Sequence, residues 1–459
     1  MLRKSFIPVA LALLLLSTFS IGSSTQERFS FRVVATGLKG PWEITLGPDS
    51  RLWMTERLSG RISRVNPADG TVTPAVTLSD VYFGTSWHEG LLGMALDPDL
   101  LKGVGRDYVY VAYTYDADPG AALARRLRVR RYTYNAADGT LAQPLTVIDN
   151  LPAHDDHGGG RLIFGPDQKL YLSRGDEGSN FLANYCNANH AQDLPTAAQV
   201  TAKDWTTYQG KILRLNVDGS IPADNPTING VRSHIFSYGH RNPQGLVFGP
   251  TGLLYESEHG PGVDDETNLI EAGGNYGWPY VAGYRDDRTY FYANWSKSAP
   301  TPCAQLTFSE FNVPPSVPRQ KESDWKGVFN PPIRTFFTPA ADYNPTTATG
   351  NSTIAPSTLE IYTARNGIPG WANSLLLPGM TSGRVYRMKL SDDGKSVVGP
   401  NEELFRSQNR YRDVAITPDG RTFYFASDPE GLGKVTDLSG SLVTTYANPG
   451  AILEFKYQP

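Results

Sequence analysis

Apolar and polar positions alternate in short runs along most of the chain, and turn residues stop each run early. Val, Ile, Tyr and Phe fill the runs, with Gly and Pro spread evenly between them. Period-two alternation bounded by turn residues predicts β-strands. Helical periodicity is convincing only around Ala197 to Trp205, and it is short.

The strands recur as a repeat. Its first element is an apolar residue, then x-Pro-Asp, a turn and an apolar strand. Leu46-Gly47-Pro48-Asp49 precedes Leu52-Trp53-Met54, and Leu96-Asp97-Pro98-Asp99 precedes Tyr108-Val109-Tyr110-Val111. Phe164-Gly165-Pro166-Asp167, Phe248-Gly249-Pro250-Thr251 and Ile416-Thr417-Pro418-Asp419 lead into similar strands. The second element is Gly, a basic residue and an alternating strand, as in Gly60-Arg61, Gly210-Lys211 and Gly383-Arg384. Pro presets one dihedral and Asp or Gly tolerates the tight turn, so each first element reads as a hairpin. The gap from Pro250 to Pro418 is about twice that from Pro166 to Pro250, leaving room for a degenerate copy around Leu359-Glu360-Ile361-Tyr362. A small antiparallel sheet cannot bury both faces alone, whereas a ring of such sheets buries them and leaves few free edges. The pattern predicts an all-β, six-bladed β-propeller of four-stranded antiparallel blades, with long loops over one face. Independent hairpins in a sandwich are the competing arrangement.

Composition narrows the function. The net charge is −4 and no basic stripe is present, which argues against nucleic acid. Met1 to Lys4 is basic at its end, Phe6 to Leu16 is apolar, and small residues follow through Gly22-Ser23-Ser24. That order predicts a secretory signal peptide over residues 1–24, cut between Gly22 and Thr25, and a single domain over 25–459. The apolar run is too short to span a bilayer, and no later segment is apolar enough. The expected location is periplasmic or secreted. Cys186 and Cys303 are the only cysteines, and spacing does not say whether they meet.

Four loops carry candidate chemistry. His154-Asp155-Asp156-His157-Gly158-Gly159-Gly160 could present an oriented base for a hydroxyl proton, or be a surface loop or metal pair. Tyr238-Gly239-His240-Arg241-Asn242-Pro243-Gln244-Gly245 offers an Arg donor fork, which could equally be buried and structural. Glu258-His259-Gly260-Pro261-Gly262-Val263-Asp264-Asp265-Glu266 suits calcium, or is a solvated acidic loop. Asn409-Arg410-Tyr411-Arg412-Asp413 puts two Arg at strand spacing, for a multiply anionic ligand or for local salt bridges.

These segments, with Gly273-Gly274-Asn275-Tyr276-Gly277-Trp278-Pro279, resemble the soluble pyrroloquinoline quinone (PQQ)-dependent glucose dehydrogenases of the glucose/sorbosone dehydrogenase family, from about Phe31 to Tyr457. The resemblance implies oxidation of aldose sugars at C1 to the lactone, with hydride transfer to PQQ and onward transfer to an external acceptor. It implies that His157 is the general base and that Arg241 stabilises charge on the quinone. Asp156, Leu182 and His88 would meet the sugar. Asn242, Thr353, Arg410 and Arg412 would hold the cofactor. The carbonyls of Gly260 and Pro261 would bind an active-site calcium. Asp265, Glu266, Ala282, Tyr284, Asp286 and Glu322 match the region of a second, structural calcium pair. A homodimer is a further implication.

Some positions depart from the family pattern. His88 stands where the family has Gln, Thr381 where it has a cofactor Lys, and Asn351 at or near a sugar-site Trp. The loop from Asp342 to Asn351 is short and lacks the family's cysteine pair. These changes predict weaker cofactor and sugar contacts and a broader aldose range. A calcium-dependent lactonase, and a propeller binding module that has lost its cofactor, are the alternatives.

Overall fold

Each Pro-Asp turn joins the inner two strands of one sheet, and six such sheets form the ring. In the computed structural model, described for residues 28–459 apart from 85–87, 121, 289, 310–311, 339–352, 432–434 and 437–440, every blade has four antiparallel strands. The innermost strands, in chain order, are Pro41–Leu46, Leu91–Leu96, Leu162–Phe164, Pro243–Phe248, Glu360–Tyr362 and Tyr411–Ile416. Glu360–Tyr362 is the degenerate copy expected in the long gap. The strands Arg61–Val65, Lys211–Leu215 and Arg384–Leu390, which carry the second repeat element, are third in their blades.

The sixth blade closes the ring. Its outermost strand is the N-terminal Arg28–Ala35, paired antiparallel with Ile452–Gln458 from Arg28 opposite Gln458 to Ala35 opposite Ile452. Closure removes the free edge that an open array would present.

The core lies in six apolar layers, one between each pair of neighbouring blades. Trp53 and Tyr113 meet between blades one and two, and Tyr362, Phe423 and Phe425 between blades five and six. This explains why both faces of the inner strands are apolar.

Strand parity sorts the loops. Turns after innermost strands, with the Pro-Asp pairs, fall at one end of the ring. Connections from second to third strands, and from each blade to the next, fall at the other. His88, Asp156, His157, Leu182, Arg241, Gly260, Thr353, Thr381 and Arg410 all lie on connections of the second kind. The Pro-Asp end opens into a channel cavity of about 630 Å³.

The predicted helix is Ala197–Ala202, with a capping box between Thr196 and Gln199. It stops three residues before Trp205 because Lys203 turns left-handed at φ 55°. Cys186 and Cys303 are bridged. The bridge sits beside a satellite core of Trp295, Val313 and Val317 that packs under Tyr185, Phe291 and Phe308. The signal-peptide segment and Asn351 lie outside the described residues. Among those described, no helix is long and apolar enough to cross a membrane.

Candidate active site

The loop entering the third blade turns His157 inward at φ 41° and buries it. Its Nδ1 meets Asp176 Oδ1 at 2.6 Å. Asp176 is itself fully buried and accepts from Asn189 Nδ2 at 2.9 Å, Trp278 Nε1 at 2.7 Å and Gly178 N at 3.0 Å. A carboxylate so bonded fixes the imidazole's orientation and favours a proton on Nδ1, leaving Nε2 as the accepting atom. Gly175 makes the approach possible, because a Cβ there would lie 1.9 Å from the His157 carbonyl oxygen.

Asp156 lies on the Nε2 side, with its Oδ1 3.7 Å from His157 Nε2 and 3.1 Å from His88 Nε2. Burial alone would raise the Asp156 carboxyl. The two histidines, the His157 backbone N–H and Arg241 outweigh it and hold the group well below the usual carboxylate range. Burial, opposed by Asp156 and aided by His157, Arg412 and Arg57, brings His88 down to about 4. His88 is therefore neutral near pH 7.

Arg241 extends over the rings of Phe181 and Trp278, 5.2 and 5.4 Å from their centroids, and donates to the His259 carbonyl at 3.2 Å. Its backbone is clamped by Glu258, whose Oε2 accepts from Arg241 N at 2.5 Å and Asn242 N at 3.1 Å. Behind it, His240, Glu256 and Glu258 gather, and Asn268 Nδ2 donates to Glu256 at 2.9 Å and to Glu266 at 3.0 Å. Arg412 Nη1 meets Gln244 Oε1 at 3.3 Å and its Nη2 pairs with Asp428 at 3.0 Å. The salt-bridge reading of the two arginines therefore holds for Arg412. Among the described residues it does not hold for Arg410, which has Met380 Sδ at 3.9 Å and the Tyr446 ring as side-chain neighbours and leaves Nε and Nη1 without a hydrogen bond. Trp42, His88, Gly159, Gln244, His259, Met380 and Arg412 line one pit.

Several buried donors on these loops are left over. Arg241 Nε, Asn242 Nδ2, and Arg410 Nε and Nη1 have no hydrogen-bond partner among the described residues. Leaving such groups unsatisfied costs about 1–3 kcal/mol each, more when charged. Two guanidinium groups and an amide, each in contact with a pit-lining residue (His259, Gln244 or Met380), fit an anionic, oxygen-rich molecule. PQQ, with several carboxylates and quinone oxygens, satisfies that donor set.

The carboxylates expected near calcium fall into two groups. Glu266 accepts from Gly283 N at 2.6 Å, and Glu322 accepts from the backbone of Ala282, Asp286 and Asp287 at 3.0, 3.1 and 2.9 Å. These contacts bring Glu266, Ala282, Tyr284, Asp286 and Glu322 together. Burial, then repulsion from Glu258 and Glu322, pushes Glu266 up to about 8, and burial with repulsion from Asp286 pushes Glu322 up to about 7. Asp264 joins them, raised to about 8 by burial and by repulsion from Glu266, Asp286 and Glu322. Asp265 does not join them. Its oxygens accept from Gly260 N at 2.9 Å, Thr353 Oγ1 at 2.5 Å and Ile354 N at 2.7 Å. Thr353 Oγ1 is thus committed to Asp265, and Thr381 Oγ1 donates to the Thr353 carbonyl at 2.6 Å. Leu182 is 47 % exposed at the rim.

From the sequence, Asp176 and Phe181 carry no role, and Glu258 and Asp264 appear only as members of the acidic loop. Asp176 stands in the Gly175-Asp176-Glu177-Gly178 turn, the one sequence signal that could have suggested it.

Fold and site together define a β-propeller with an end-face pit, in which a carboxylate-held histidine faces buried donors for an anionic ligand. The chain belongs to the glucose/sorbosone dehydrogenase family, whose model matches residues 38–303 and 326–436. Quinoprotein glucose dehydrogenase B of Acinetobacter calcoaceticus is 40 % identical, over 100 % of this chain and 99 % of that one. An aldose sugar dehydrogenase of Escherichia coli is 26 % identical over 87 % of this chain and 90 % of its own. The PQQ-bound aldose sugar dehydrogenase of Streptomyces coelicolor superposes with a TM-score of 0.63, at 25 % identity, covering 94 % of this chain and 99 % of that one.

Proposed function

We propose that the protein oxidises aldose sugars at the C1 hydroxyl to the lactone, with PQQ as hydride acceptor and an external acceptor taking the electrons onward. The observation that carries this reading is the pairing of His157 with Asp176 beside the unsatisfied donors of Arg241, Asn242 and Arg410. PQQ, when bound with calcium as Lewis acid, supplies the two-electron acceptor that no side chain can provide.

The chain's own residues do the rest. His157 Nε2 takes the C1 hydroxyl proton while Asp176 steadies the imidazolium that forms. Asp156 and His88 bind sugar hydroxyls, and Leu182 borders the sugar. Arg241 offers positive charge where negative charge grows, a preorganised form of stabilisation. Asn242 and Arg410 grip the cofactor's oxygens, and Arg412, paired with Asp428 in the pit wall, adds positive charge beside them. The carbonyls of Gly260 and Pro261 would hold the active-site calcium, and the group around Glu266 and Glu322, with Asp264, the second calcium site. The bridged cysteines support export to an oxidising compartment.

The test is reconstitution of the purified protein with PQQ and calcium, followed by dye reduction across an aldose panel. Quinone-dependent reduction is the expected result. No reduction and no PQQ binding would leave a binding module. An Arg410→Met variant is expected to bind PQQ about ten- to a hundred-fold more weakly in an absorbance titration, since charge-assisted hydrogen bonds contribute about 1.5–3 kcal/mol. An Asp176→Asn variant is expected to lose kcat by roughly 10²-fold or more, through the wrong tautomer, with PQQ affinity retained.

A further inference from the structure

Phe181 occupies a position that the reaction itself singles out. Its ring lies nearly parallel to the His157 imidazole, with centroids 5.8 Å apart and planes 20° apart. The Arg241 guanidinium stands 5.2 Å from its centroid. The Phe181 ring therefore borders both groups that the proposed reaction engages, the base His157 and the charge of Arg241. The ring is only half-buried, so apolar surface is available to a sugar. A pyranose carries hydroxyls around its rim and C–H groups on its faces, and a flat apolar ring complements such a face.

The segment that presents Phe181 is fastened at several points to the long insertion of the fourth blade. Asn180 Nδ2 donates to the Ala293 carbonyl at 2.6 Å, and its Oδ1 accepts from Trp295 N at 2.7 Å. Tyr185 Oη donates to the Leu306 carbonyl at 2.7 Å. Phe308 meets Phe181 edge-on at 5.7 Å. The Cys186–Cys303 bridge ties the same two segments covalently across 117 residues of chain. Between these anchors Leu182 is held at φ 40°, a left-handed conformation that disfavours a residue other than glycine. Such strain persists where the surroundings over-determine it, often at ligand clamps.

We propose that Phe181 is a substrate-binding residue that packs against a C–H face of the sugar, and that the strap closed by Cys186–Cys303 holds it in register with His157. This rests on the aldose dehydrogenase reading above. It adds a specificity rule: sugars with an uninterrupted C–H face are preferred over epimers that place an axial hydroxyl on it.

The experiment compares wild type, Phe181→Leu, Phe181→Tyr and the double variant Cys186→Ser/Cys303→Ser, each loaded with PQQ and calcium. KM and kcat are measured for glucose and for galactose, its C4 epimer with an axial hydroxyl, and PQQ affinity is measured by titration. Phe181→Leu is expected to raise KM for glucose roughly ten-fold or more, with a smaller fall in kcat and unchanged PQQ affinity. It should also narrow the preference for glucose over galactose, and Phe181→Tyr should restore both. The double cysteine variant should raise KM in the same direction. An active wild type whose KM is unaltered by Phe181→Leu would overturn the inference and leave the dehydrogenase reading standing. Loss of PQQ affinity in step with KM would overturn it too, since the ring would then act through Arg241. A wild-type KM in the cysteine variant would remove the strap. A wild type that oxidises no sugar would overturn both readings together.

Discussion

A His157→Ala variant loaded with PQQ and calcium is expected to reduce dye roughly 10²- to 10⁴-fold more slowly than wild type at saturating sugar. The magnitude follows from what the side chain does in its setting. Nδ1 is committed to Asp176, so Nε2 is the atom left to accept a proton. Alanine removes that acceptor while Asp176 keeps its bonds from Asn189, Trp278 and Gly178. The buried carboxylate is therefore not orphaned, and the fold should survive. PQQ affinity should hold as well, because the groups proposed above to hold the cofactor sit on other residues, Arg241, Asn242, Arg410 and Arg412. A modest rise in KM is expected beside the fall in kcat, since Phe181 loses the imidazole it packs against. Single-turnover dye reduction and a PQQ titration on the same preparation separate the effects. An unchanged kcat would move the proton to the neighbouring His88–Asp156 pair.

Much of the ring could be read from the chain because its signals are local. Pro48-Asp49, Pro98-Asp99, Pro166-Asp167 and Pro418-Asp419 each lie between an innermost strand and the next, and a turn of this kind is set by its own residues. Even the degenerate copy at Glu360 was found, from a spacing. What could not be read depends on distant partners. Cys186 meets Cys303 across 117 residues, and Arg28–Ala35 pairs with strand residues at the far end of the chain. Asp264 and Asp265 illustrate the limit at the site. Adjacent residues near a strand start point to different sides, so one carboxylate joins Glu266 and Glu322 while the other pins Gly260 and Thr353. Sequence marks that acidic segment as ligand-like but does not sort its members. Arg410 and Arg412 differ for a similar reason. Asp428, which pairs with Arg412, lies on a separate connection, and among the described residues Arg410 pairs with no such acid.

The centre of the ring supplies the second large effect: an Arg161→Met variant is expected to lose about 3–5 kcal/mol of stability. Arg161, at the start of the third blade, is 2 % exposed, and its side chain bonds to the four blades numbered one, four, five and six at once. Its Nη1 pairs with Glu43 and, at 3.2 Å, with Asp413; its Nε donates to the Gln244 carbonyl at 2.9 Å and its Nη2 to the Ser357 carbonyl at 3.1 Å. Burial opposes its charge, but Asp413 and Glu43 more than offset this and hold the guanidinium charged. Methionine fills much of the space yet leaves the Asp413 carboxylate, and the Glu43 carboxyl that burial and Asp413 already push well up, without their cation. Adding Glu43→Gln and Asp413→Asn to the Met variant should therefore recover part of the loss, because the unpaired charge, more than the missing bonds, sets the cost. The urea midpoint of unfolding reads both changes. The effect should reach the pit, since Trp42 lies 4.5 Å from Arg161 on the channel side and 5.8 Å from Arg412 on the cofactor side. A weaker PQQ titration in Arg161→Met is thus expected along with the lower midpoint. An unaltered midpoint would mean that water in the channel cavity already solvates Glu43 and Asp413, and that the ring is held by its six apolar layers alone.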